Sequence, residues 1–293
     1  MYFNTLCLSG GGINGLQILG SLEYLKNNNI LKIKNIKTFI GTSVGSIICF
    51  LINLNYDINF IACITYKLNM DKIKLDFDID KFLENYGIDN GNKIISIIQT
   101  LLFYKIKKYD ITFEELFKKT NKILKIIVVN YSDKKEEVFD YNTTPYLSVI
   151  YALRMSISIP FIFTPVKYNN KLYIDGGLMN NFGINYCNLD KTIAICIENQ
   201  NNPDYPKTLF DYFKQILNII YTNVTTKNID HINIIKLDTT LTLSDFSLKK
   251  SKKFELLKNG YKKSKQYTKK LHFFAIKFIH NIIDKSILVV INQ

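Results

Sequence analysis

The first 55 residues contain two consecutive strand–turn–helix units, and a chain that begins this way has to pair its strands in parallel and cover them with helices. Thr5–Leu8 is a short apolar run ending in Gly10-Gly11-Gly12-Ile13-Asn14-Gly15. Leu16, Ile18, Leu19, Leu22 and Leu25 follow at helical spacing. The pattern then repeats. Lys37–Ile40 is a strand, Gly41-Thr42-Ser43-Val44-Gly45 a turn, and Ile47, Ile48, Leu51 and Leu54 form a helix face.

Further on, the periodicity predicts helices around Ile58–Leu68, Asn92–Lys107, Phe113–Leu124, Tyr146–Met155 and Leu209–Tyr221. Strands are expected at Ile126–Tyr131, Lys171–Ile174, Thr192–Ile197 and Ile232–Leu237, where β-branched residues concentrate. No linker or repeat divides the 293 residues. We read one domain over 1–270 and an apolar tail over 271–293. The N-terminus has no basic region ahead of an apolar stretch, and no uncharged run is long enough to span a bilayer. The expected location is therefore intracellular, cytoplasmic or peripheral to a membrane.

The five cysteines (Cys7, Cys49, Cys63, Cys187 and Cys196) are odd in number and lack metal-ligand spacing. Cys7 and Cys196 lie in strand-like runs and are expected to be buried thiols, which suits a reducing compartment. The net charge is +13, but Lys, Asn, Ile and Tyr are abundant while Arg occurs once and Trp never. AT-rich codons produce that bias, so charge alone carries little weight and no nucleic-acid partner is inferred.

Three motifs carry chemistry. In Gly41-x-Ser43-x-Gly45 a strand turns sharply into a helix, lifting a serine hydroxyl clear of the sheet beside a helix N-terminus. Glycine two residues before and after leaves room for strand and helix to approach. The Gly10-Gly11-Gly12 loop can present bare backbone N–H groups to an anion, either a phosphate or the oxyanion of acyl transfer. Its letters also match the dinucleotide pattern. That reading needs a ribose-binding acid about 20 residues on, where Asn27, Asn28, Asn29 and Lys32 stand instead. Asp175-Gly176-Gly177 ends a strand and, alone, reads as an ordinary turn.

Histidine occurs only at 231, 272 and 280, none in a glycine-rich loop. A two-residue mechanism is therefore favoured over a Ser–Asp–His triad, with Asp175 accepting the Ser43 proton directly. Asp76-x-Asp78-x-Asp80 invites a calcium reading. Lys81 and Gly87 stand where that loop needs Gly and an acid, so it reads as solvated. Arg154 can clamp an anion bidentately, or be a helix-surface charge.

Together these pieces resemble the patatin-like phospholipase family: SGGGINGL at 9–16, GTSVGS at 41–46, ALRMSISIPFIFTPV at 152–166 and DGGLMNN at 175–181, in the family's order. TFEELFKKTNKILKIIVVNY at 112–131 and FELLKNGY at 254–261 also fit, so the likeness spans about residues 5–265. The resemblance implies a three-layer α/β/α sandwich with a mainly parallel sheet. It implies Ser43 as nucleophile, Asp175 as proton acceptor, and an oxyanion hole at Gly10, Gly11 and Gly12. Gly15, Gly41, Gly45, Gly176 and Gly177 would support these motifs. It also implies hydrolysis of phospholipid or other acyl-lipid esters through an acyl-enzyme, with no metal and no cofactor.

Two positions depart from the family pattern. Asn14 stands where Arg or Lys is usual, which bears on oxyanion strength and lipid choice. Gly183 stands near a common Pro, which bears on loop stiffness. Readings outside active lipid hydrolysis are a catalytically weak or inactive membrane- or partner-binding relative and a Ser–Asp–His esterase of non-lipid substrates.

Lys249–Lys270 contains ten lysines and one acid, Glu255, and the apolar stretch 271–291 follows. That combination suits peripheral contact with an anionic membrane, the alternative being a C-terminal element packed on the core with solvated lysines.

Overall fold

The computed structural model describes residues 2–68, 82, 84–200, 205–225, 231–241 and 248–269. Both opening units form. β1 (Thr5–Leu8) leads through the glycine loop into α1 (Gly15–Asn27), and β2 (Thr38–Thr42) leads through Ser43 into α2 (Val44–Asn53). Next come α3 (Ile58–Lys67), β3 (Gly87–Asp89), α4 (Asn92–Ile106), α5 (Phe113–Thr120), β4 (Ile123–Asn130) and β5 (Lys135–Phe139). α6 (Val149–Ser156), β6 (Phe161–Phe163), β7 (Val166–Tyr168), β8 (Lys171–Asp175), β9 (Thr192–Asn199), α7 (Leu209–Thr225) and β10 (Ile234–Thr239) complete the named elements. A last helix, α8, occupies 250–269.

The main sheet runs β10-β9-β1-β2-β4-β8-β7, with β5 paired on β4. The five strands from β10 to β4 are parallel, and β5 and β8 run antiparallel to β4. The fold is thus the expected α/β class, a mostly parallel sheet flanked by helices. β1 is buried on both faces, as a central parallel strand must be. Leu6, Leu8, Phe39, Ile126, Ile195 and Leu237 face the helical layer around α1 and α2. On the other face Cys7, Ile40, Ile127, Ala194 and Cys196 pack under Phe182 and Ile184. The third layer there is short 3-10 turns at Ile184–Tyr186 and Leu189–Lys191. Cys7 and Cys196 are buried free thiols.

One boundary moves. The helix expected over Phe113–Leu124 ends at Thr120, because Asn121 turns left-handed (φ 52°) and accounts for the stop. β4 therefore starts at Ile123 rather than Ile126. The helix expected from Tyr146 begins instead at Val149, capped by the Ser148 side chain accepting from Tyr151 N–H.

α8 is pressed onto α1. A Cβ at Gly20 would meet Leu257 O at 2.0 Å, and one at Gly260 would meet Gln17 O at 1.9 Å, so both glycines are required for this approach. Ser21 and Ser264 share a hydrogen bond at 2.5 Å, and Tyr24 and Thr268 another at 3.0 Å. The inner face of the lysine-rich segment is thus a packing face. Lys250, Lys258, Lys262, Lys265 and Lys269 point outward with Phe254. The apolar tail at 271–293 lies outside the described residues, as does the Asp76-x-Asp78-x-Asp80 stretch.

Candidate active site

Ser43 sits between β2 and α2 with φ 52° and ψ −129°, a conformation non-glycine residues rarely adopt. Its surroundings hold it there. Its N–H donates to Ser156 Oγ at 2.9 Å, and that hydroxyl donates to Ile127 O at 2.8 Å. Ser46 Oγ donates to Ser43 O at 2.6 Å. A Cβ at Gly45 would lie 2.5 Å from Leu8 O, and one at Gly41 2.5 Å from Ser46 Cα, so the flanking glycines are dictated by close approach. Gly15 is fitted against Val44, whose Cγ2 would meet its Cβ at 2.7 Å.

The glycine loop lies alongside. A Cβ on Gly10 would come within 3.1 Å of Ser43 Cβ, and Gly12 lines the same cavity as Ser43. The three glycines are not equivalent. Gly10 N–H donates to Asn181 O at 3.0 Å and is already engaged, so it is not a free oxyanion donor as expected from sequence. Gly12 is left-handed (φ 55°), and the Gly11 and Gly12 amides have no acceptor within the protein among the described residues.

Asp175 ends β8 and is fully buried. Its N–H donates to Ser158 O at 2.9 Å, and its Oδ1 accepts Gly177 N–H at 2.7 Å. Burial pushes its carboxyl up to about 7, against the Ser43 hydroxyl, the Gly177 N–H and the Tyr221 phenol, which all pull it down. Gly176 and Gly177 are close-approach positions, against Ile127 O (2.4 Å) and the Tyr221 ring (2.1 Å) for an added Cβ. Oδ2 forms no closed hydrogen bond, which leaves it available as an acceptor.

Ser43 and Gly12 line a cavity that is partly open to solvent. The rest of its wall is almost wholly apolar: Val44, Ile48 and Leu51 from α2, Ile61 and Ile64 from α3, and Ile98 and Leu101 from α4 among others. Among the described residues, none that lines it is charged.

Several sequence expectations are located elsewhere or differently. Asn14, in place of a cation, is buried and its Oδ1 accepts from Thr239 Oγ1 at 2.7 Å and Gln17 Nε2 at 3.5 Å. It ties the glycine loop to the end of β10 with a neutral bond. Gly183 packs against Ile127, whose Cδ1 would lie 2.3 Å from an added Cβ.

Arg154 is neither a surface charge nor an anion clamp. It is buried, with Nε donating to Asn90 O (2.8 Å), Nη1 to Ser158 Oγ (2.6 Å) and Nη2 to Thr164 O and Oγ1 (2.8 and 3.0 Å). These four bonds staple three loops. His231 precedes the amino end of β10, whereas Ser43 follows the carboxyl end of β2, which runs in the same direction, so the two lie at opposite ends of the parallel strands. There His231 Nε2 stands 3.9 Å from Asp190 Oδ1. His272 and His280 lie outside the described residues.

Sequence reasoning missed Ser156, Ser158, Asn181 and Tyr221. The first two lie in the 152–166 segment singled out for its family likeness, and Asn181 in the 175–181 segment. No local pattern marks Tyr221.

The patatin-like phospholipase profile matches residues 6–187. A probable lipid hydrolase, 463L, of invertebrate iridescent virus 6 is 37% identical over 255 residues, covering 83% of this chain and 81% of the relative. The uncharacterized protein R571 of Acanthamoeba polyphaga mimivirus is 31% identical over 284 residues, covering 91% and 94%. In three dimensions VipD from Legionella pneumophila superposes with a TM-score of 0.70 at 15% identity, over 91% of this chain and 67% of VipD. ExoU of Pseudomonas aeruginosa, in its complex with SpcU, superposes with a TM-score of 0.53 at 14% identity, over 92% of this chain and 52% of that one. The chain belongs to the patatin-like phospholipase family.

Proposed function

We propose that the protein is a lipid acyl hydrolase working through a Ser43–Asp175 dyad and an acyl-enzyme. The observation that carries this reading is the position of Ser43. A strained, buried serine lines an apolar cavity, beside bare glycine amides and a buried carboxyl.

In this reading Ser43 Oγ attacks the ester carbonyl carbon as its proton passes to Asp175 Oδ2. The Gly11 and Gly12 amides hold the tetrahedral oxyanion. Collapse breaks the bond to the alcohol oxygen, which takes the proton from Asp175 and leaves. Water then attacks the acyl-Ser43, giving its proton to Asp175. The free fatty acid departs and the proton returns to Ser43 Oγ. Burial raises the basicity of Asp175 toward neutral pH, where a general base works best. The acyl chain lies along α2, whose rise from Val44 to Leu51 spans about 10 Å.

Peripheral membrane contact belongs to the same proposal. α8 presents an outward row of lysines with Phe254, which is 62% exposed. Lys253 donates to the Leu68 and Tyr66 carbonyls at the end of α3, a helix that lines the cavity. A cationic face beside the cavity suits an anionic bilayer surface that also holds the substrate. Among the described residues no helix is long and apolar enough to cross a membrane.

The test is mass-spectrometric lipid profiling of phospholipid vesicles and neutral-lipid emulsions incubated with the protein and with Asp175→Asn. Free fatty acid and the matching deacylated lipid should appear only with the parent. Equal release by both proteins, or none by the parent, contradicts the proposal.

A further inference from the structure

Tyr221 takes no part in the dyad as outlined, yet it is 3% exposed and its hydroxyl closes no hydrogen bond. A buried phenol without a partner is costly, so its surroundings should offer one. They do. Its ring edge rests on Gly177, where an added Cβ would meet Tyr221 Cε1 at 2.1 Å, and Gly177 N–H is the group that holds Asp175 Oδ1. The opposite carboxylate oxygen, Asp175 Oδ2, is also buried and also unbonded. The two groups feel each other: the phenol pulls the Asp175 carboxyl down, and the carboxylate pushes the Tyr221 phenol up.

We propose that Tyr221 is a positioning residue whose phenol donates to Asp175 Oδ2 and aims the carboxyl at Ser43 Oγ. The inference rests on the dyad reading above. One bond, from Gly177 to Oδ1, leaves the carboxyl plane free to turn; a second, at Oδ2, sets it. The donor's own position is well secured. Thr225 Oγ1 donates to Tyr221 O at 2.7 Å, Asn181 Nδ2 donates to Thr225 Oγ1 at 2.7 Å, and Asn181 O accepts Gly10 N–H at 3.0 Å. α7 therefore links the base turn and the glycine loop in one network. In such a network a shift of the base is carried to the oxyanion side.

The groups facing the Asp175 carboxyl are few. They are Ser43 at the start of α2, Gly177 N–H on its own turn, and Tyr221 on α7; no charged side chain acts on it among the described residues. Tyr221 itself is kept protonated by burial and by the Asp175 carboxylate. A phenol that donates to the carboxylate stabilises its ionised form, so removing the hydroxyl must make Asp175 harder to ionise. A merely structural tyrosine would have no such effect.

The deciding experiment is the pH profile of kcat/KM on a soluble short-chain ester for the parent, Tyr221→Phe and Ser43→Ala. In Tyr221→Phe the acid limb should move up by about half to one pH unit, with kcat down roughly tenfold and KM little changed. An acid limb at the parent position, with or without a uniform loss of rate, overturns the proposal. Replacing Tyr221 by 3-fluorotyrosine keeps the shape and strengthens the donor, so the limb should move the other way; this arm decides the matter if Tyr221→Phe folds poorly. Failure of the dyad reading is recognised separately, by Ser43→Ala keeping the parent rate.

Discussion

The Ser156 hydroxyl accepts the N–H of Ser43 at 2.9 Å and so holds the left-handed bend between β2 and α2. Both groups are buried. Ser156→Ala would leave the Ser43 N–H and Ile127 O short of a partner. We expect a loss of about 1–3 kcal/mol in stability. kcat should fall about tenfold or more with KM little changed, because the elbow loosens before the acyl cavity does. Denaturant unfolding and ester kinetics on the one variant check both.

Ser43 itself carries backbone strain. A non-glycine residue at φ 52° and ψ −129° costs on the order of 1–3 kcal/mol, and glycine is largely relieved of that cost. Ser43→Gly should therefore raise the unfolding free energy by about 1 kcal/mol while abolishing hydrolysis. A destabilised variant would mean that the bend is not strained in solution.

Asp175 should couple stability to pH. Its carboxyl is raised by burial from an ordinary value near 4 to about 7. The folded state then holds the proton more tightly than the unfolded one. The resulting stabilisation is fully present below about pH 4 and lost as pH rises through about 7. Asp175→Asn should thus gain stability over the parent across that window and level off above it. The gain should amount to a few kcal/mol at most. Activity should run the other way, its acid limb centred near 7 because the base must be ionised. Thermal melts of both proteins from pH 4 to 9, beside the parent's rate profile, test the pair.

Arg154 offers a test of its structural role. If its guanidinium only staples Asn90, Ser158 and Thr164, Arg154→Lys should cost several kcal/mol of stability, since an ammonium cannot serve all four acceptors. Phospholipid and neutral ester turnover should then fall in parallel. A selective rise in KM for phospholipid would point instead to a phosphate contact.

The cavity wall predicts chain-length selectivity. Ile97 projects from α4 into the acyl space and is only partly buried, so Ile97→Trp should be tolerated by the fold. Turnover of long-chain esters should fall at least tenfold relative to butyrate esters. A proportional loss across all lengths would place the acyl chain elsewhere.

How much of this was legible follows from how local each cause is. Gly41 and Gly45 announce the elbow because the steric demand of a strand turning into a helix falls on residues two positions away. The same holds for β1 and α1, where period and glycine loop agree. Asp175 was readable only through the company of the other motifs. Ser156 and Tyr221 act across 113 and 46 residues of sequence respectively, and neither spacing nor residue type marks such contacts. Arg154 looked like a surface charge because its acceptors are carbonyls and hydroxyls that only the fold gathers. The strand Lys135–Phe139 escaped notice since KEEVF has no apolar alternation, its burial coming from pairing with β4. Gly10 looked identical to its neighbours, and only the return of Asn181 along the loop takes up its amide.

The central claim, that Ser43 is an activated nucleophile, is tested most directly by labelling with a long-chain alkyl fluorophosphonate, followed by peptide mapping. The account predicts a single stoichiometric adduct on the peptide bearing Ser43, absent in Ser43→Ala and formed much more slowly in Asp175→Asn. An adduct on any other residue, or undiminished labelling of Ser43→Ala, would contradict it.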